Sequence, residues 1–91
     1  MAHKILEEII GKNIARYREA AGLTQATLAE KIGISTAFVS RVERGQKKMK
    51  VETLYATAKV LNVSVDALLA IATGVSTVPV VTVVVAAAGS S

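Results

Sequence analysis

The apolar residues of this chain fall into five helical stretches and then one stretch of a different kind. Over residues 4–21, Ile5, Leu6, Ile9, Ile10, Ile14 and Tyr17 recur at three- and four-residue spacing, which predicts one face of a helix. Gly22 stops that helix. Thr24 is placed as the N-cap of a second helix reaching Ile32, and Ser35 as the N-cap of a third that ends near Arg44 with Gly45 behind it. A fourth helix over 51–61 carries Val51, Leu54, Ala58 and Leu61 on one stripe and ends at Asn62. Ser64 caps a short fifth helix through Ile71, and Asp66 in its first turn suits the helix dipole. There is no internal repeat.

The pattern then changes. No residue from Ala67 onward is charged, and residues 78–85 are dense in β-branched side chains, which predicts a strand. Gly74 begins the linker to it, and Pro79 stands near the strand start, where a missing N–H is tolerated. Val81, Val83 and Val85 would point to one side, and Val78, Val80 and Val84 to the other. Both faces are apolar, so the strand expects cover on both. The expected architecture is all-α: a compact five-helix unit over residues 1–72, with an uncharged, Val-rich β-strand tail over residues 73–91.

Residues 23–45 are the most telling part of the helical unit. Ala29 is small where two helices must approach closely, and Gly33 stands where the chain turns. Val39 and Val42 share the face of the third helix that packs on the second. Ser35, Thr36, Ala37, Ser40, Arg41 and Arg44 are left outward, a short polar and basic face on a rigid platform. Helix-turn-helix DNA readers place such a face in the major groove.

At these residues the chain resembles the lambda-repressor and Cro-like helix-turn-helix domains, also called the xenobiotic-response-element family. The resemblance rests on Arg18, Gly22, Leu23, Thr24, Gln25, Leu28, Ala29, Ile34, Phe38, Val39, Ser40, Arg41, Glu43 and Gly45. It continues past the motif through Glu52, Thr53, Leu54, Ala58, Leu61, Val63, Ser64 and Leu68. It covers residues 10–69, and so many agreements at fixed spacing make it specific. It implies a five-helix DNA-binding fold and a buried or half-buried salt bridge between Arg18 and Glu43 that orients the reading helix; the alternative is two independent surface charges. It also implies that Gln25 meets the DNA backbone and that Phe38 lies along the backbone or a thymine methyl. The bland readings are an exposed first-turn Gln25 and a core Phe38. One departure is visible. The family often has Pro then Ser before the fourth helix, where this chain has Met49 and Lys50. The usual cap is therefore absent and the start of that helix is open.

Charge sharpens the expectation. The chain has 91 residues, 11 basic and 7 acidic, for a net charge of +4. Arg41, Arg44, Lys47, Lys48 and Lys50 cluster at the end of the third helix and in the loop after it, interrupted only by Glu43. Such a cluster neutralises phosphates, although without the motif beside it a solvated loop would be the simpler reading. Arg44, Lys47, Lys48 and Lys50 are the phosphate candidates. Thr36, Ala37, Ser40 and Arg41 are the base-contact candidates, because the first turn of a reading helix penetrates deepest. Arg41 can bond a guanine bidentately, and short side chains can meet a thymine methyl. Alternatively Arg41 holds a phosphate, and Ser40 serves packing.

Other chemistry is scarce. Cysteine is absent, which removes disulfides and thiolate metal sites and fits a cytoplasmic protein. The N-terminus lacks the apolar run of a signal peptide. His3 is the sole histidine, and no nucleophile–base pair, metal cluster or Gly-rich phosphate loop is recognisable. No enzyme activity, cofactor or metal is expected; the expected partner is double-stranded DNA. Three readings of the tail stand. The first is a homodimerisation strand using Val78, Val80, Val81, Val83, Val84 and Val85, which would place two reading helices one DNA turn apart. The second is a segment that binds a partner protein, as an antitoxin binds a toxin, or folds back on its own domain. The third is a membrane span, disfavoured because Leu68 and Leu69 are wanted by the core and the rest is short. The function expected is a sequence-specific transcriptional regulator, a repressor binding a pseudo-palindromic operator as a homodimer. Its rival is a protein-interaction module with incidental DNA contact.

Overall fold

A computed structural model describes residues 2–71. These form five helices: α1 (Ala2–Ala20), α2 (Gln25–Ile32), α3 (Thr36–Glu43), α4 (Val51–Leu61) and α5 (Val65–Leu69). There is no strand among the described residues. The expected strand at 78–85 and the six valines assigned to dimerisation lie outside them.

Each boundary has a local cause. Thr24 Oγ1 accepts from the N–H of Thr27, Ser35 Oγ from Phe38, and Ser64 Oγ from Ala67, so three helices start on side-chain caps. Lys50 occupies the cap position of α4 without a side-chain bond, as the missing Ser implied. The four longer helices end alike. A residue with positive φ (Gly22, Gly33, Gly45, Asn62) lets the next N–H turn back to a carbonyl of the last turn. Those bonds run from Leu23 to Arg18, Ile34 to Ala29, Gln46 to Arg41 and Val63 to Ala58, at 2.8–3.1 Å.

The core gathers between the helices. Ile14, Leu28, Val39 and Leu68 are fully buried, with Ala29, Val42, Leu54, Ala58 and Leu61 around them. Ala29 and Val39 lie where α2 and α3 pack on each other, as their size and spacing predicted. α1 packs across α3 and α5, and α4 closes against α2.

Three expectations need correction. Val51, expected on the inner stripe of α4, is 82% exposed. The loop instead folds Met49 under the helix, where Thr57 Oγ1 meets its sulfur at 3.5 Å. Ile5 and Leu6, expected on the buried face of α1, are exposed, because no described element covers the first turns of α1. α5 stops at Leu69 rather than Ile71, because Ala70 is already extended (φ −73, ψ 139).

Two residues that the hydrophobic pattern did not single out hold α1 in place. Asn13 is buried and donates through Nδ2 to the carbonyls of Leu68 and Ala70, both at 2.7 Å. Gly11 lets α1 rest directly on the end of α3. A Cβ there would collide with the carbonyl oxygens of Val42 and Glu43, the latter at 2.9 Å.

Candidate nucleic-acid interface

The outward face of α3 is built by what its inward face buries. With Val39 and Val42 in the core, Thr36, Ala37, Arg41 and Arg44 are exposed and Ser40 is half-buried. Ser35 caps the first turn and so fixes Thr36 and Ala37 at the protruding end of the helix. Phe38 is half-buried and packs against the rim of the core, leaving part of its ring at the surface.

The end of α3 is locked by one carboxylate. Glu43 Oε2 accepts from Arg18 Nε at 2.6 Å, and Oε1 accepts from Arg18 Nη2 at 3.1 Å and from Gln25 Nε2 at 2.8 Å. Arg18 Nη1 also donates to the carbonyl of Leu23 at 2.8 Å. The two charged side chains retain only 11% and 6% exposure, so this is a nearly buried, fork-on-fork ion pair. Its hydrogen bond to Glu43 pushes the Arg18 pKa above its ordinary value; the attraction of Glu43 and Glu19 adds to this, and desolvation opposes it. Three elements thus meet on Glu43: the end of α1, the first residue of α2 and the end of α3. Gln25 spends one amide hydrogen on this network.

The consequence is electrostatic. Glu43 is the only acid between Arg41 and Lys50, and it faces inward. Arg41, Arg44, Lys47, Lys48 and Lys50 are all exposed, and none is paired with a carboxylate among the described residues. The one acid that interrupts the cluster in the sequence is thus turned away, leaving five exposed basic residues along the end of α3 and the loop to α4. Gly45 shapes the start of that loop: its φ is +75, and a Cβ would meet Glu8 Cα of α1 at 3.1 Å.

The residues expected from sequence to act together are therefore adjacent along α3 and its loop. Gln25 joins them through Glu43, whereas the six tail valines lie beyond the described residues. Sequence reasoning missed Asn13, Gly11 and Met49. A glycine inside a helical pattern was the available signal for Gly11.

A reading helix held across a glycine turn by a second helix, with an unpaired basic flank, defines a helix-turn-helix unit. The chain belongs to the HTH_3 helix-turn-helix family, whose model matches residues 14–68. It is 38% identical over 64 residues to the control protein C.SmaI of Serratia marcescens, covering 70% of this chain and 76% of that protein. Its fold is similar to the restriction-modification controller protein C.AhdI of Aeromonas hydrophila. There the TM-score is 0.70 at 29% identity, over 75% of this chain and 99% of that one. It is also similar to SinR, the master regulator for biofilm formation, in complex with DNA. For that structure the TM-score is 0.64 at 35% identity, over 67% of this chain and 98% of that one. A SinR protein/SinI protein complex matches as well, with a TM-score of 0.66 at 30% identity, over 89% of this chain and 80% of that one. No helix among the described residues is long and apolar enough to cross a membrane.

Proposed function

We propose that this protein is a sequence-specific, DNA-binding transcriptional regulator, a cytoplasmic repressor that occupies a pseudo-palindromic operator as a homodimer. The observation that carries this reading is the polar face of α3 followed by a basic cluster whose one acid is turned inward. In this reading α3 enters the major groove. Thr36, Ala37, Ser40 and Arg41 meet base edges, with Arg41 forking onto a guanine. Arg44, Lys47, Lys48 and Lys50 hold phosphates. Gln25 and the first N–H groups of α2 meet the neighbouring backbone, and the exposed part of Phe38 lies against it. Regulation is by occupancy: the protein binds rather than transforms, and neither cofactor nor metal enters. Residues 1–72 read the DNA and residues 73–91 join two copies.

The test is selection from a random duplex library at near-physiological salt. Enrichment of an inverted repeat with half-sites one turn apart is the expected result. Weak, salt-sensitive retention without a motif would sink the reading and favour nonspecific contact. A second reading, binding of a partner protein through the tail, draws on the likeness to the SinR protein/SinI protein complex.

A further inference from the structure

The loop between α3 and α4 is held to the core by one side chain. From Gln46 to Glu52 every residue but Met49 is exposed. Val51, the first residue of α4, is 82% exposed, and Lys50 gives that helix no side-chain cap. Among the described residues, 47–50 donate no backbone hydrogen bond. Met49 alone turns inward, 8% exposed, into the cluster that holds Leu54, Ala58 and Leu61. The path of Lys47, Lys48 and Lys50 therefore depends on how well one thioether fits beneath α4.

The chemistry of that thioether sets Met49 apart from another apolar anchor. The chain has two methionines and no cysteine, so beyond Met1 this sulfur is its only soft, oxidisable atom. It is buried but not remote. With Lys48, Lys50 and Val51, Met49 lines a surface hollow of about 420 Å³, which admits a molecule as small as hydrogen peroxide. A thioether asks little of its surroundings. Thr57 Oγ1 approaches the sulfur at 3.5 Å, and the same hydroxyl donates to the carbonyl of Thr53 at 2.8 Å. A hydroxyl has one hydrogen, and the carbonyl is the closer and stronger acceptor. An oxygen added to the sulfur would need a donor, and the one hydroxyl that reaches Met49 is already engaged. A polar oxygen left unpaired in the core is costly, and the side chain escapes that cost by leaving.

We propose that Met49 is an oxidation site and that its sulfoxide unseats the loop carrying Lys47, Lys48 and Lys50. The oxidant is a peroxide. The sulfur attacks one peroxide oxygen, the O–O bond breaks and an S–O bond forms. Sulfur loses two electrons; the departing oxygen takes the proton from the transferred one and leaves as water. A methionine sulfoxide reductase reverses the step. Where the three lysines hold phosphates, DNA affinity falls when the loop opens; this consequence rests on the functional reading above, and the opening itself does not.

The full chain is treated with hydrogen peroxide alongside free N-acetylmethionine. Cleavage after Glu43 and Glu52 isolates Met49 from Met1, and a one-oxygen mass gain in that peptide reports the sulfoxide. The expected result is oxidation of Met49 while circular dichroism keeps the helical signal. Trypsin then cuts after Lys47, Lys48 or Lys50 several-fold faster than in untreated protein, and the reductase restores the slow rate. Met49→Leu and Met49→Ile keep an apolar anchor without an oxidisable sulfur, and their loops stay indifferent to peroxide. The inference is overturned by a Met49 that survives peroxide sufficient to convert all the free reference. It is equally overturned by a sulfoxide whose loop is cut no faster, or by loss of the whole helical signal, which would make Met49 an ordinary core residue. Affinity for a random-sequence duplex, measured in parallel, is expected to fall several-fold on oxidation of the natural chain and to hold in Met49→Leu. Faster cleavage with unchanged affinity would leave Met49 as the switch and remove the phosphate roles from the three lysines, so the two failures are told apart.

Discussion

Glu43 carries the one negative charge between Arg41 and Lys50, and its burial does two jobs. It removes an acid from among the exposed basic residues, and it ties α3 to α1 and α2 through Arg18 and Gln25. Removing one partner of a nearly buried pair leaves the other charge stranded, at a cost of about 3–5 kcal/mol. Glu43→Ala is therefore expected to lower the melting temperature by at least ~10 °C, read by circular dichroism. A change within error would mean that the pair is solvated. The arginine side of this pair is insensitive to pH over the working range. Because the folded pKa of Arg18 is raised, its stabilisation is complete below the unfolded arginine's pKa. It is lost only as pH rises through the still higher folded value. Arg41 stands at the opposite extreme, exposed and unpaired among the described residues. Arg41→Ala is expected to leave stability unchanged and to cost about 1–3 kcal/mol on the best DNA site, relaxing preference at one base pair. Titration against single-base variants of that site checks this; a uniform loss across all of them would move Arg41 to the phosphate backbone.

At the scale of elements, Gly11 gives a test in which two arguments predict opposite signs. Helix propensity says that Gly11→Ala stabilises α1 by about 1 kcal/mol. Packing says the reverse, because the new methyl runs into the last carbonyls of α3. The expected outcome is net destabilisation in a urea titration, with α1 pushed off α3; stabilisation would show that the two helices can part without cost. Gly11 also marks a limit of what the sequence makes legible. Periodicity and caps are local, so α2, α3 and α4 could be read to within a residue, and Thr24, Ser35 and Ser64 cap where expected. The resemblance supplied the Arg18–Glu43 partnership. Helix-against-helix contacts are non-local. Nothing near Val51 in the sequence says that Met49 will fill the space beneath α4. Nothing near Ile5 and Leu6 says that no other described helix reaches them. Glu43 was legible as a charge, but its turning inward depends on donors that lie on α1 and α2.

For the molecule as a whole, the proposed division of labour between residues 1–72 and 73–91 is directly testable. Deleting everything after Thr73 is expected to leave a folded monomer in sedimentation velocity, with helical content retained and affinity for a two-half-site DNA reduced. A truncated protein that remains dimeric would assign dimerisation to the helical unit. The way that unit closes also governs how it is made. Asn13 waits for the carbonyls of Leu68 and Ala70, and the core that α1 and α4 share with α5 is incomplete until Leu68 is in place. During synthesis the chain emerges N-terminus first, so the first four helices appear before the residue that closes their core. Until α5 arrives, Asn13 must keep its water. The helical unit can therefore close fully only once that single short helix has emerged.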